Sequence, residues 1–173
     1  ALENDSKAKI YEANQFNNDF IDKLEFDLSI LKWMKDSWSK IDKDFKKDAF
    51  IQALKTDKYL KDNKILIFSE SMETGLDLYN SLYEDFGNSV LFYSSRECKY
   101  DNKSVSPNTV KDLIHKNYDP KYYETSDDIK VLITTDVLAE GINLHRSNII
   151  INYDLPWNPT RVLQRVGLSL IHI

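Results

Sequence analysis

From Lys64 onward, short runs of consecutive apolar residues alternate with segments whose apolar residues recur at helical spacing. That alternation leaves few folds open to the chain. KILIFSE, SVLFYS, IKVLITT and NIIINYD read as strands, each an apolar, β-branched or aromatic run closed by small polar residues. Between them, SMETGLDLYNSLYEDF carries Met72, Leu76, Tyr79, Leu82 and Tyr83 on one helical stripe, and VKDLIHKNY, DVLAEG and PTRVLQRV read as further helices. Strands that are apolar throughout, rather than alternating with polar residues, must be covered on both faces. The expected fold is therefore α/β, a mostly parallel sheet with helices on both faces. The charged, Ser/Asn-rich stretch from Arg96 to Pro107 is expected to be a mobile surface loop.

Residues 1–63 have a different texture and form a helical lead-in or insertion. Gly is absent there, and Leu24, Leu28, Leu31, Trp38, Ile41 and Phe45 recur at steps of three, four or seven. The reading predicts that this stripe packs against the sheet domain or against another copy of the chain, with Trp33 and Trp38 as packing residues. Phe50, Ala53 and Leu54 suggest a further short helix before the charged connector KTDKYLKDN.

Several functional classes recede on composition. Cys98 is the single cysteine, and His115, His145 and His172 lie at no metal-binding spacing, so no metal site is expected. No apolar run approaches the length of a membrane span, and ALENDSKAKI lacks the apolar core of a signal peptide, which predicts a cytoplasmic protein with no membrane partner. A net charge of −5 excludes a uniformly basic, nucleic-acid-coating protein. It leaves room for a local groove built from hydroxyls and backbone amides.

In an α/β sheet, ligands bind beyond the carboxyl ends of the strands. Ser69, Glu70 and Ser71 follow the first strand there, and Thr134, Thr135 and Asp136 follow the third. Their hydroxyls, together with helix N-terminal amides, suit phosphate oxygens, although Ser71 and Asp136 are equally suited to capping the next helix. The chain has no GxxxxGK[ST] loop. A nucleotide-hydrolysing site could then be no more than half present.

Three stretches in order, KILIFSESMETGLDL, IKVLITTDVLAEGINL and NIIINYDLPWNPTRVLQRVG, resemble motifs IV, V and VI of the C-terminal RecA-like domain of superfamily 2 helicases and translocases. The last is most similar to Swi/Snf-type translocases and the bacterial RNA-polymerase-associated ATPases related to them. The resemblance covers about 64–167 and implies a RecA-like sheet that forms the second motor lobe of a DNA- or RNA-dependent ATPase. It implies that Ser69, Ser71, Thr134 and Thr135 face the nucleic-acid backbone, and that Gly141, Asn143, Gln164 and Arg165 approach the nucleotide. ATP and Mg2+ would be bound mainly by an N-terminal RecA-like lobe, so this lobe alone would be catalytically silent. The alternative is a non-catalytic RecA-like module that binds protein or nucleic acid. In the family, motif VI continues QRxGRxxR, whereas Leu168 and Ile171 stand at the two later arginine positions. The expectation is that 168–173, LSLIHI, is a non-native tail; a naturally degenerate motif in an inactive domain is the competing explanation.

Overall fold

A computed structural model describes residues 11–17, 19–135 and 142–167. The chain divides into two compact units, 1–45 and 46–173.

In the first unit, a single 3-10 turn over Ala13–Gln15 precedes helix α1, Phe20–Trp38. Asp22 in its first turn and Lys35 in its last complement the helix dipole. The predicted helix is present, but α1 buries none of its residues. Leu24 and Leu28 are each 49% exposed and Trp38 is 73% exposed. Phe26, Ile30 and Trp33 put apolar surface on a second side of the same helix.

The second unit begins with α2, Phe45–Thr56, and the short α3, Lys58–Lys61, whose N-terminal amides at Tyr59 and Leu60 donate to the Asp57 carboxylate. Then follow β1 (Ile65–Phe68), α4 (Met72–Phe86), β2 (Val90–Tyr93), β3 (Cys98–Tyr100), β4 (Lys103–Ser104), α5 (Pro107–Tyr118), β5 (Val131–Thr134), β6 (Ile149–Asn152) and α6 (Pro159–Gly167). These strands form one six-stranded sheet in the order β4-β3-β2-β5-β1-β6. The pairs among β2, β5, β1 and β6 are parallel. β3 and β4 add an antiparallel hairpin at one edge.

That hairpin corrects the expected loop over Arg96–Pro107. Asp101 and Asn102 take φ of 51° and 55°, the paired left-handed conformation that closes a tight hairpin along the natural strand twist. The Asn102 amide donates to the Tyr79 hydroxyl at 3.1 Å, and the Tyr83 hydroxyl donates to Asp101, so side chains of α4 pin the turn. Burial pushes the Tyr79 hydroxyl's pKa up.

Burial on both sheet faces agrees with the apolar strand pattern: β1, β2 and β5 are buried throughout. On one face, Leu66, Phe68, Leu91 and Leu132 pack with Val110, Ile114 and Tyr118 of α5. On the other, Ile65, Ile67, Phe92 and Ile133 pack with Leu78, Tyr79 and Leu82 of α4 and with Leu54 of α2. Gly75 is the close-packing point of α4. A Cβ there would meet both Phe92 Cε2 and Ser69 Oγ at 2.8 Å.

At the amino ends of the strands, Lys64 donates to the Ile129 carbonyl at 3.0 Å and pairs with Asp127 at 3.1 Å. Burial pulls the Lys64 pKa down, and the hydrogen bond from Lys64 holds the Asp127 carboxyl below its usual range. Arg146 donates to the Lys116 and Ser126 carbonyls and also pairs with Asp127. Segment 119–129 is thereby clasped to this end of the sheet.

Candidate functional site

The opposite end of the sheet gathers most of the residues singled out from sequence. β1 and β5 are adjacent and in register, Phe68 opposite Thr134, so Ser69 to Ser71 and Thr135 emerge side by side. The Ser69 amide donates to the Thr134 carbonyl at 3.0 Å, which prolongs the ladder one step beyond the strands.

Ser69 and Thr134 are fully buried. Each hydroxyl already has a local acceptor: Ser69 Oγ donates to the Ser71 carbonyl at 2.8 Å, and Thr134 Oγ1 to the Thr135 carbonyl at 2.9 Å. They shape the loops and do not form the surface. Ser71 Oγ accepts the Thr74 amide at 3.0 Å, so Ser71 caps α4 as its residue type allows.

Ser71 and Thr135 do line an open cleft of about 370 Å³, together with Glu70, Glu73, Ser94, Ser95 and Arg96. The residues at the end of β2 escaped the sequence reading. Ser94 Oγ accepts the amides of Arg96 and Glu97 and donates to the Glu97 carbonyl, a compact turn that presents Ser95 and Arg96 at the cleft. The signal was available in SVLFYSSR, another apolar run ending in small polar residues and then a cation.

The residues assigned to the nucleotide side separate. Gly141 lies outside the described residues, as does the helix expected over DVLAEG. Asn143 Nδ2 donates to Asp119 at 3.1 Å and its Oδ1 accepts the His145 amide, so its amide group serves the loop. Gln164 is exposed on α6, whereas Arg165 one residue later is only 1% exposed. The Arg165 guanidinium donates from Nη1 to Asn152 Oδ1 at 2.7 Å and from Nη2 to Glu70 Oε1, and lies 4.8 Å above the Phe68 ring. Arg161, one turn earlier, approaches the other Glu70 oxygen at 3.6 Å.

The loop from β6 to α6 is held to the same place. Asp154 accepts the Glu70 amide at 3.4 Å and pairs with Lys46 of α2 at 2.9 Å, and the Lys46 ammonium lies 3.9 Å from the centre of the Tyr153 ring. Beyond these ties, Leu155, Trp157 and Leu163 are exposed. Among the described residues no group of His, Cys, Asp or Glu is placed to hold a metal ion, and no helix is long and apolar enough to cross a membrane.

Comparison with known proteins gives this geometry a context. The uncharacterized ATP-dependent helicase YqhH of Bacillus subtilis (strain 168) is 37% identical over 106 residues, which is 61% of this chain and 16% of that protein. The chain thus spans about a sixth of the length of that relative. Among solved structures, the Mss116p DEAD-box helicase domain 2 bound to an RNA duplex superposes with a TM-score of 0.56 at 17% identity, covering 73% of this chain and 45% of that one; the likeness is one of fold. The C-terminal part of the Fun30 ATPase domain superposes with a TM-score of 0.52 at 27% identity, covering 72% of this chain and 35% of that one. The family model of the helicase conserved C-terminal domain matches residues 45–168, and the chain belongs to that family.

Proposed function

We propose that this chain is the second motor lobe of a nucleic-acid-dependent ATPase that translocates on, or remodels, a duplex. The observation that carries the reading is the convergence at one sheet end of Ser71, Thr135, Ser95 and Arg96 around an open cleft, with α6 anchored beside it. The hydroxyls of Ser95 and Thr135 and the Arg96 guanidinium suit a phosphate backbone, with the carboxylates of Glu70 and Glu73 on the same lining opposing it, and such contacts position a strand without reading its sequence. The partner would be the DNA or RNA backbone, with an N-terminal RecA-like lobe across the α6 side.

ATP would supply the energy through closure of the two lobes, which alters their grip on the strand. The fit of this lobe's residues to a nucleotide is partial. Gln164 is available on the surface, but Arg165 is buried on Asn152 and Glu70, so its contribution is the orientation of α6. Mg2+ would be held by the other lobe. The wording NYDLPWNP and the 27% identity to the Fun30 ATPase domain favour a Swi/Snf-like parent.

Two measurements test this. The chain alone should release no phosphate from ATP with or without DNA or RNA, and it should bind a labelled duplex weakly, with affinity that falls as salt rises. Arg96→Glu should weaken that binding uniformly across sequences. Salt-independent binding, or binding untouched by Arg96→Glu, would favour a non-catalytic interaction module. Nucleic-acid-stimulated phosphate release by the purified chain would refute its being half a site.

A further inference from the structure

We infer that Glu70 is a positioning residue: its carboxylate anchors α6 to the end of β1 and so sets the direction in which Gln164 is presented. The inference rests on the motor-lobe reading for its consequence, but not for its geometry.

The two oxygens of Glu70 meet two arginines spaced one helical turn apart, Arg165 at Oε1 and Arg161 at Oε2. A helix pinned at residues i and i+4 is fixed in rotation about its axis as well as in position, because both side chains rise from one face. The deeper contact is buried: Arg165 is 1% exposed, and Phe68 beneath and Asn152 beside it fix the plane of its guanidinium. Glu70, by contrast, keeps a third of its side chain exposed and also lines the open cleft. One residue therefore touches the cleft and holds the helix. Its own backbone amide is tied to Asp154, which fixes the start of the loop that delivers α6.

Asn152 is a neutral acceptor and offers one oxygen to one guanidinium nitrogen. The Glu70 carboxylate, two residues beyond β1, adds a negative charge and a second point of attachment. Leu163 and Gln164, the two residues before Arg165, are exposed.

The test uses Glu70→Gln, which keeps the shape and removes the charge, with Glu70→Asp as a second variant that keeps the charge. In the 173-residue chain, side-chain NMR of Arg165 should show separate, slowly rotating Nη groups that merge in Glu70→Gln and remain apart in Glu70→Asp. In the intact ATPase, Glu70→Gln should lower kcat roughly tenfold to a hundredfold, as misplacement of a reacting group does. The KM for ATP should stay within about twofold, since the effect acts through the placement of α6. Unchanged Arg165 signals in Glu70→Gln would overturn the inference. So would merged signals with unaltered kcat, or a rise in KM alone. If the intact wild-type protein shows no nucleic-acid-stimulated hydrolysis, the motor-lobe reading fails, and the NMR comparison alone decides whether Glu70 anchors α6.

Discussion

Replacing Gly75 by alanine places one methyl group at the tightest contact between α4 and the sheet. The new carbon would stand 2.8 Å from Phe92 Cε2 and 2.8 Å from Ser69 Oγ, where carbon contacts are comfortable at about 3.5 to 4.0 Å. Neither neighbour can retreat into solvent, since Phe92 and Ser69 are both fully buried. Overpacking of a core costs about 1 to 3 kcal/mol, and two close contacts place this site in the upper half of that range. Alanine returns about 1 kcal/mol through helix propensity. The net expectation is a loss of about 1 to 2 kcal/mol, or roughly 2 to 8 °C in Tm. Urea denaturation followed by tyrosine and tryptophan fluorescence measures it. The loss should shrink in a Phe92→Leu background, because the ring is half of the obstacle and neighbouring substitutions couple. A midpoint that rises, or strict additivity with Phe92→Leu, would refute the steric reasoning.

Leu54→Ala removes a side chain of α2 that is 2% exposed beneath the sheet, and should cost about 2 to 5 kcal/mol by denaturant titration. Trp38→Ser, at a ring 73% exposed, should leave the denaturation midpoint of the isolated chain within about 0.5 kcal/mol. Asp127 is held below its usual carboxyl range first by its hydrogen bond from Lys64, so the unfolded chain binds its proton more readily than the folded one. The stability it contributes is present above about pH 4 and lost as pH falls through the folded value, and Asp127→Asn should flatten the acid limb of a stability profile.

Much of this fold is legible in the amino-acid sequence, for a physical reason. Runs such as Ile65–Phe68 and Val131–Thr134 are apolar at every position, which only a sheet covered on both faces accommodates. The β3–β4 hairpin was not legible, because it rests on two non-glycine residues at positive φ and on tyrosine hydroxyls from α4, neither of which shows in a hydrophobic pattern. At the site, the loops carrying Ser71 and Thr135 were recognisable by their place after strands. The burial of Arg165 was not, since a residue's direction on a helix depends on partners distant in sequence, here Glu70 and Asn152.

The strand order has a consequence for how the domain comes to be made. β1 emerges early, yet its hydrogen-bonding partners are β5 and β6: Ile65 pairs with Val131 on one side and Ile149 on the other. Among the described residues, only the hairpin β2–β3–β4 joins strands adjacent in sequence. During synthesis, the segment Ile65–Phe68 must therefore wait, with its strand edges unpaired, until β5 and β6 have left the ribosome. Distant pairings of this kind slow folding and leave apolar segments open to other chains in the meantime. Crowded expression at high temperature should deposit aggregates seeded by that waiting strand, whatever the stability of the finished sheet.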